Sequence, residues 1–119
     1  MKMLFLSIAV AISFTVHAQE VPKISPIQAK DFIGKTVTVC GEVKDTNVSK
    51  TGTNFLSFGA EYPNQVFQAV IYPEIVKQFS EAPVTSFKGK TVCITGTVRL
   101  YKMKPEIEVM GVDWIALEK

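Results

Sequence analysis

Histidine, the side chain best matched to proton transfer near neutral pH, occurs once in this chain, at position 17. It sits in a stretch built like a secretory signal: a short positive start around Lys2, an apolar run from Leu4 to Val16, and the small-residue exit Val16-His17-Ala18. Cleavage is expected after Ala18. That would leave residues 19–119 with no imidazole for base catalysis or metal ligation. The apolar run is shorter than the roughly 20 residues needed to span a bilayer. Residues 1–18 are therefore read as a cleaved signal peptide, with no membrane anchor afterwards and a periplasmic or secreted destination. No cysteine follows the run to take a lipid.

The remaining candidates for chemistry are few. Glu106 and Glu108 lie two apart and share one side of a predicted strand, a spacing that can hold a cation or move a proton. It reads first as the charged outer face of a hairpin. Ser25, Ser49, Ser57, Ser80 and Ser86 have no base partner, and no glycine-rich phosphate loop is present. The chain is expected to be non-catalytic, without cofactor or metal. Its two cysteines, Cys40 and Cys93, remain in a compartment that permits disulfides.

The basic residues point to binding instead. Thirteen Lys and Arg face eleven Asp and Glu, a net charge of +2, so a polyanion-binding face must come from local clustering. Clustering is what the sequence shows. Lys44 and Lys50 fall in or beside a polar loop at 45–53, and Arg99, Lys102 and Lys104 fall around a tight connection at 102–104.

The elements that must position these residues follow from periodicity. After a short exposed lead-in, 19–24, Ser25-Pro26-Ile27-Gln28 has the form of a helix start with a capping box. That helix is expected to reach Ile33 and bury Ile27, Phe32 and Ile33 before Gly34 stops it. From Lys35 the period becomes two, giving a first strand through GKTVTVCGEV with a bend at Gly41. NFLSFG (54–59) and VFQAVIY (66–72) are the second and third strands. A single short helix from Pro73 to Phe79 follows, ending before Pro83. GKTVCITGTVRLY and PEIEVM supply strands four and five, and VDWIAL closes the chain. Residues 25–119 thus form one domain of common size, small enough to gain from a covalent staple. The likeness of GKTVTVCGEV to GKTVCITGTV reads as two strands of one barrel rather than a true repeat.

Three strands, a helix and two strands is the order of the OB-fold. The expected architecture is all-β: a five-stranded Greek-key barrel, with one short helix between strands three and four and another at the N-terminus. An SH3-like barrel or small sandwich is the rival. The stretches GKTVTVCGEV, NFLSFG, YPNQVFQAVIY, GKTVCITGTV and YKMKPEIEV together resemble the nucleic-acid-binding, tRNA-anticodon-type OB-folds, and small exported bacterial OB proteins in particular. The resemblance covers most of residues 34–117. It implies single-stranded nucleic acid or another polyanion as partner, although a shared fold does not fix a function.

The OB order makes strands one and four antiparallel neighbours, with Cys40 and Cys93 both facing outward. A disulfide is expected if the register brings their Cα atoms within about 7 Å; two unpaired thiols are the alternative. An OB groove lies on the face of strands two and three, between the loops joining strands one to two and four to five. Ser57 and Gln68 mark its solvent side. Phe55, Tyr72 and Tyr101 are expected as a stacking platform on that side, within a basic rim of Lys44, Lys50, Arg99, Lys102 and Lys104. Leu56, Phe58, Phe67, Ala69 and Ile71 are expected to fill the core. The alternative function is an envelope module whose groove takes a protein, peptide or glycan.

Overall fold

The computed structural model describes residues 7–12 and 20–118. The expected cleavage point at Ala18 lies outside the described residues. Residues 7–12 are exposed and carry no regular secondary structure.

The organising element is a long strand, β2 (Thr36–Val48), preceded by a two-residue strand β1 (Lys23–Ile24). Alternation along β2 sends Val37, Val39 and Val43 into the core. Its first half pairs antiparallel with β5 (Thr91–Thr97), and its second half pairs antiparallel with β3 (Asn54–Phe58). A register shift between Val43 and Asp45 marks the change of partner. β3 pairs with β4 (Phe67–Ile71), and β4 runs parallel to β7 (Lys104–Glu108). β6 (Arg99–Tyr101) forms a hairpin with β7, and β8 (Ile115–Leu117) lies on β5.

The result is a mixed, mostly antiparallel sheet of eight strands in the order β6-β7-β4-β3-β2-β5-β8, with β1 beside β2. Five strands are predicted from periodicity. The others come from Lys23–Ile24, too short to show alternation, from Val98, which alone splits the expected fourth strand into β5 and β6, and from β8, which lies within the closing segment 112–117 expected to be extended. Because β5 and β6 are almost continuous yet stand toward opposite ends of the path, the sheet has to curl. The core inside the curl contains every position expected there: Leu56, Phe58, Phe67, Ala69 and Ile71 are fully buried.

Several local expectations are corrected. Within the stretch read as an exposed lead-in, Lys23–Ile24 pairs parallel with β2, and Ile24 is buried. The expected N-terminal helix forms over Pro26–Asp31 as a 3-10 helix and stops short of Ile33. Gln28 Oε1 accepts the Ser25 backbone N–H at 2.9 Å, as the capping sequence implies. The tighter period of three puts Pro26, Ala29 and Phe32 on the inward side. Ala29 is buried, whereas Ile27 and Ile33 face solvent, 54% and 38% exposed. The absent side chain at Gly41 lets this helix lie against β2, since a Cβ there would come within 2.5 Å of the Pro26 ring. Two one-turn helices, α1 (Pro73–Val76) and α2 (Pro83–Ser86), replace the single predicted helix. Pro83 does not stop a helix but opens one, at the position where its missing N–H costs nothing.

Cys40 and Cys93 stand directly opposite each other on β2 and β5, with Cα atoms 4.0 Å apart, and form a disulfide. Its sequence separation of 53 corresponds to about 4 kcal/mol of stabilisation in the chain-entropy model.

Candidate functional site

The outer face of β3 and β4 carries a cleft of about 500 Å³, within the usual range for ligand sites. Asn47, Val48 and Ser49, at the end of β2, form one wall. Phe55 and Gln68 lie on the strands themselves, and Tyr62, Pro63 and Gln65 come from the β3–β4 connection. Tyr101, Lys102 and Lys104, from the β6–β7 hairpin, form the other wall. Asp45 helps place the β3–β4 connection: its Oδ2 accepts the Tyr62 N–H at 3.1 Å.

The fold therefore brings four of the eight predicted binding residues together: Phe55, Tyr101, Lys102 and Lys104. The other four lie elsewhere. Lys44 falls within β2, which runs four residues into the predicted polar loop, to Val48, and its ammonium pairs with Glu42 at 3.1 Å. Lys50 is exposed at the turn between β2 and β3, outside the cleft lining. Arg99 and Tyr72 meet each other, with Arg99 Nη2 donating to the Tyr72 hydroxyl at 3.4 Å, but neither lines the cleft.

Arg99 is held by carboxylates. Its Nε and Nη2 donate to Glu106 Oε2 at 2.8 and 2.6 Å, and its Nη1 pairs with Glu108. Burial works against the guanidinium charge, but the Glu106 hydrogen bonds and the two carboxylate charges outweigh it and raise its pKa. Burial, and then the Glu108 charge, raise the Tyr72 phenol above its ordinary value.

The expectation of a charged, solvated face for Glu106 is corrected, as is the solvent exposure of Ser57 and Gln68. Their relative exposures are 1%, 1% and 6%. The alternation was read correctly, since all three point away from the core residues. Yet other polar side chains cover this outer face. Glu106 Oε1 accepts Gln68 Nε2 at 2.7 Å, and Gln68 Oε1 accepts Gln65 Nε2 at 3.0 Å. Lys104 Nζ donates to the Gln65 backbone oxygen at 2.9 Å. The buried polar set is thus tied together from Arg99 to the cleft wall.

The hairpin tip is conformationally costly. Lys102 and Met103 have φ of 47° and 68°, the left-handed region that Asn and Gly favour in two-residue hairpin turns. Non-glycine residues there cost about 1–2 kcal/mol each. The turn places the Lys102 ammonium 5.4 Å from the centre of the Tyr101 ring, within cation–π range.

Gln65, Tyr62 and the end of β2 were not predicted as site residues. Between the predicted second and third strands, Glu61-Tyr62-Pro63-Asn64 reads as a turn, and nothing in local periodicity says which way a turn residue, or Gln65 beside it, points.

Neither a protein-family model nor a curated protein matches this chain. Solved structures do. The Stn1–Ten1 complex of S. pombe matches with TM-score 0.53 and 12% identity over 71% of this chain and 58% of its own. A putative aspartyl-tRNA synthetase from Leishmania major matches with TM-score 0.55 and 15% identity over 92% of this chain and 22% of its own. Asparaginyl-tRNA synthetase from Entamoeba histolytica matches with TM-score 0.51 and 19% identity over 84% and 24%. The structural neighbours are of the OB-fold group that the sequence resembles. This chain spans only part of each matched chain, and at these identities the likeness concerns fold alone. Among the described residues, no helix is long and apolar enough to cross a membrane.

Proposed function

We propose that this protein is an exported, non-catalytic OB-fold module that binds single-stranded nucleic acid, or another extended polyanion, in the cleft on β3 and β4. We also read its curled sheet as the five-stranded Greek-key barrel, with β5 and β6 as one interrupted strand. The signal-like N-terminus and the Cys40–Cys93 disulfide support export. The observation that carries the binding function is the convergence of two aromatic rings, Phe55 and Tyr101, with two ammonium groups, Lys102 and Lys104, in one cleft. Bases stack on aromatic rings with little sequence preference, at about 1–3 kcal/mol per base, while cations follow the phosphates. The neighbours point the same way: two are named as tRNA synthetases.

Fluorescence anisotropy with labelled single-stranded oligonucleotides tests this. Two lysine–phosphate contacts give a slope of log affinity against log salt near −1.4, roughly −0.7 per contact for a single strand. Absence of binding at tens of micromolar protein in low salt would refute the proposal.

The alternative is an envelope protein, peptide or glycan in the same cleft. It is favoured by exposed apolar side chains at this end, Val48 at 55% and Met103 at 88%. Affinity capture from a periplasmic extract separates the two readings. A defined protein partner that resists salt and nuclease would favour the alternative.

A further inference from the structure

The buried amides behind the cleft have a fixed direction. The Glu106 carboxylate, paired with the Arg99 guanidinium, can only accept hydrogen bonds. Gln68 must therefore turn its Nε2 toward Glu106 and its Oε1 toward Gln65. Gln65 must then turn its Nε2 toward Gln68, which leaves its own Oε1 as the end of the series. The carboxylate thus sets the orientation of an amide two residues away in the chain of bonds, a setting that neither glutamine has alone. Gln65 is 2% exposed, lines the cleft, and its Oε1 has no hydrogen-bond partner among the described residues. A buried acceptor without a partner carries a desolvation cost that a ligand donor can recover. The Lys104 ammonium is bonded to the backbone oxygen of the same residue. A phosphate that draws Lys104 away would open that edge of Gln65.

We propose that Gln65 Oε1 reads an exocyclic amino group on a nucleobase, and that Glu106, acting through Gln68, is the positioning residue that keeps it an acceptor. The inference rests on the nucleic-acid reading of the cleft. A base stacked near Phe55 and presenting an amine, as cytosine does at N4, gives the acceptor its partner. Thymine presents a carbonyl at the same place, so two acceptors meet. The cleft then favours amine-bearing bases over thymine, on top of stacking that is indifferent to sequence.

The test compares three labelled oligonucleotides of equal length: oligodeoxycytidine, the same strand built from pyrimidin-2-one deoxynucleotides, which lack only the amine, and oligothymidine. Wild-type protein should bind oligodeoxycytidine about tenfold more tightly than either of the others, the ratio that one unpaired acceptor supplies. Gln65→Met should bring the ratio toward one, and Glu106→Gln should bring it to one or below: Arg99 can only donate, so a glutamine at 106 turns its oxygen to Arg99 and its amide nitrogen to Gln68, the direction of both amides reverses, and Gln65 ends the series with a donor. A purely structural role for Gln65 would lower affinity for all three probes and leave the ratio intact. Equal wild-type binding of the three strands would overturn this inference while leaving the nucleic-acid reading in place. Absence of binding to any of them would overturn both. The wild-type comparison needs no variant, so it decides the matter even where a substitution at 65 or 106 prevents folding.

Discussion

Replacing the hairpin tip Lys102-Met103 with Asn-Gly should make the protein more stable and a poorer binder. Both residues occupy left-handed backbone, at φ 47° and 68°, and Asn-Gly is the pair best suited to such a turn. Relieving Met103 recovers about 1–2 kcal/mol and relieving Lys102 somewhat less, because Asn only partly escapes the penalty. Glycine gives back roughly 0.5–1 kcal/mol through the greater freedom of the unfolded chain. The net gain is about 1 kcal/mol, which raises Tm by roughly 5 °C for a domain of this size. The same change removes one of the two ammonium groups in the cleft, so the salt slope should halve, to about −0.7. Thermal melting by circular dichroism gives the first quantity, and anisotropy titrations over a salt series give the second. Met103→Gly alone is the control: Met103 is outside the cleft lining, so this variant should gain stability and keep the slope. A lower Tm for both variants would refute the strain argument. A higher Tm for the double variant with an unchanged salt slope would show that Lys102 is not held there to meet a polyanion.

Three further outcomes are expected. Reducing the Cys40–Cys93 disulfide, or replacing both cysteines with serine, should lower unfolding free energy by about 4 kcal/mol, given the 53-residue separation; equal urea midpoints with and without reductant would contradict this. Tyr72 should ionise above the ordinary phenol range, because burial and then Glu108 raise its pKa. Its linkage term favours the folded state in full below about pH 10 and is lost as pH rises through the folded value. Ultraviolet titration should show a late phenolate component that Tyr72→Phe removes. Gly41→Ala should destabilise by about 2 kcal/mol, since the new methyl meets the Pro26 ring at 2.5 Å and must displace the 3-10 helix; an unchanged melting temperature would show that the helix is not tightly packed there.

Alternation was sufficient wherever a strand had one apolar face. Leu56 and Phe58 on β3, and Phe67, Ala69 and Ile71 on β4, could be assigned to the core because a shift of one residue would have exposed all of them. The cysteine pair was legible for the same reason, once β2 and β5 were taken as neighbours. What alternation cannot show is what lies above the outer face. Ser57, Gln68 and Glu106 alternate as solvent-facing residues do, yet they are buried by partners from β6, β7 and the β3–β4 connection. The Arg99–Glu106 pair could have been suspected from its hairpin, since the two residues stand opposite each other across a tight turn. Lys44 is expected beside the loop at 45–53 because alternation is clear only as far as Val43. The β3 ladder instead carries that strand on to Val48. Gln65 was out of reach, because its importance depends on bonds to residues three and forty-one positions away through Gln68 and Glu106.

The locked arginine also bears on how long a bound strand would stay. Arg99 is the chain's only arginine, and its fork is already engaged by two carboxylates. Phosphates in the cleft would meet lysine ammonium groups alone. A guanidinium grips a phosphate through paired, directional bonds, whereas an ammonium is a point charge that tolerates many approach angles. A strand lying here could slip by one nucleotide, trading one phosphate for the next without breaking a two-bond clasp. Such contacts favour rapid exchange and one-dimensional creeping over long residence at a single register.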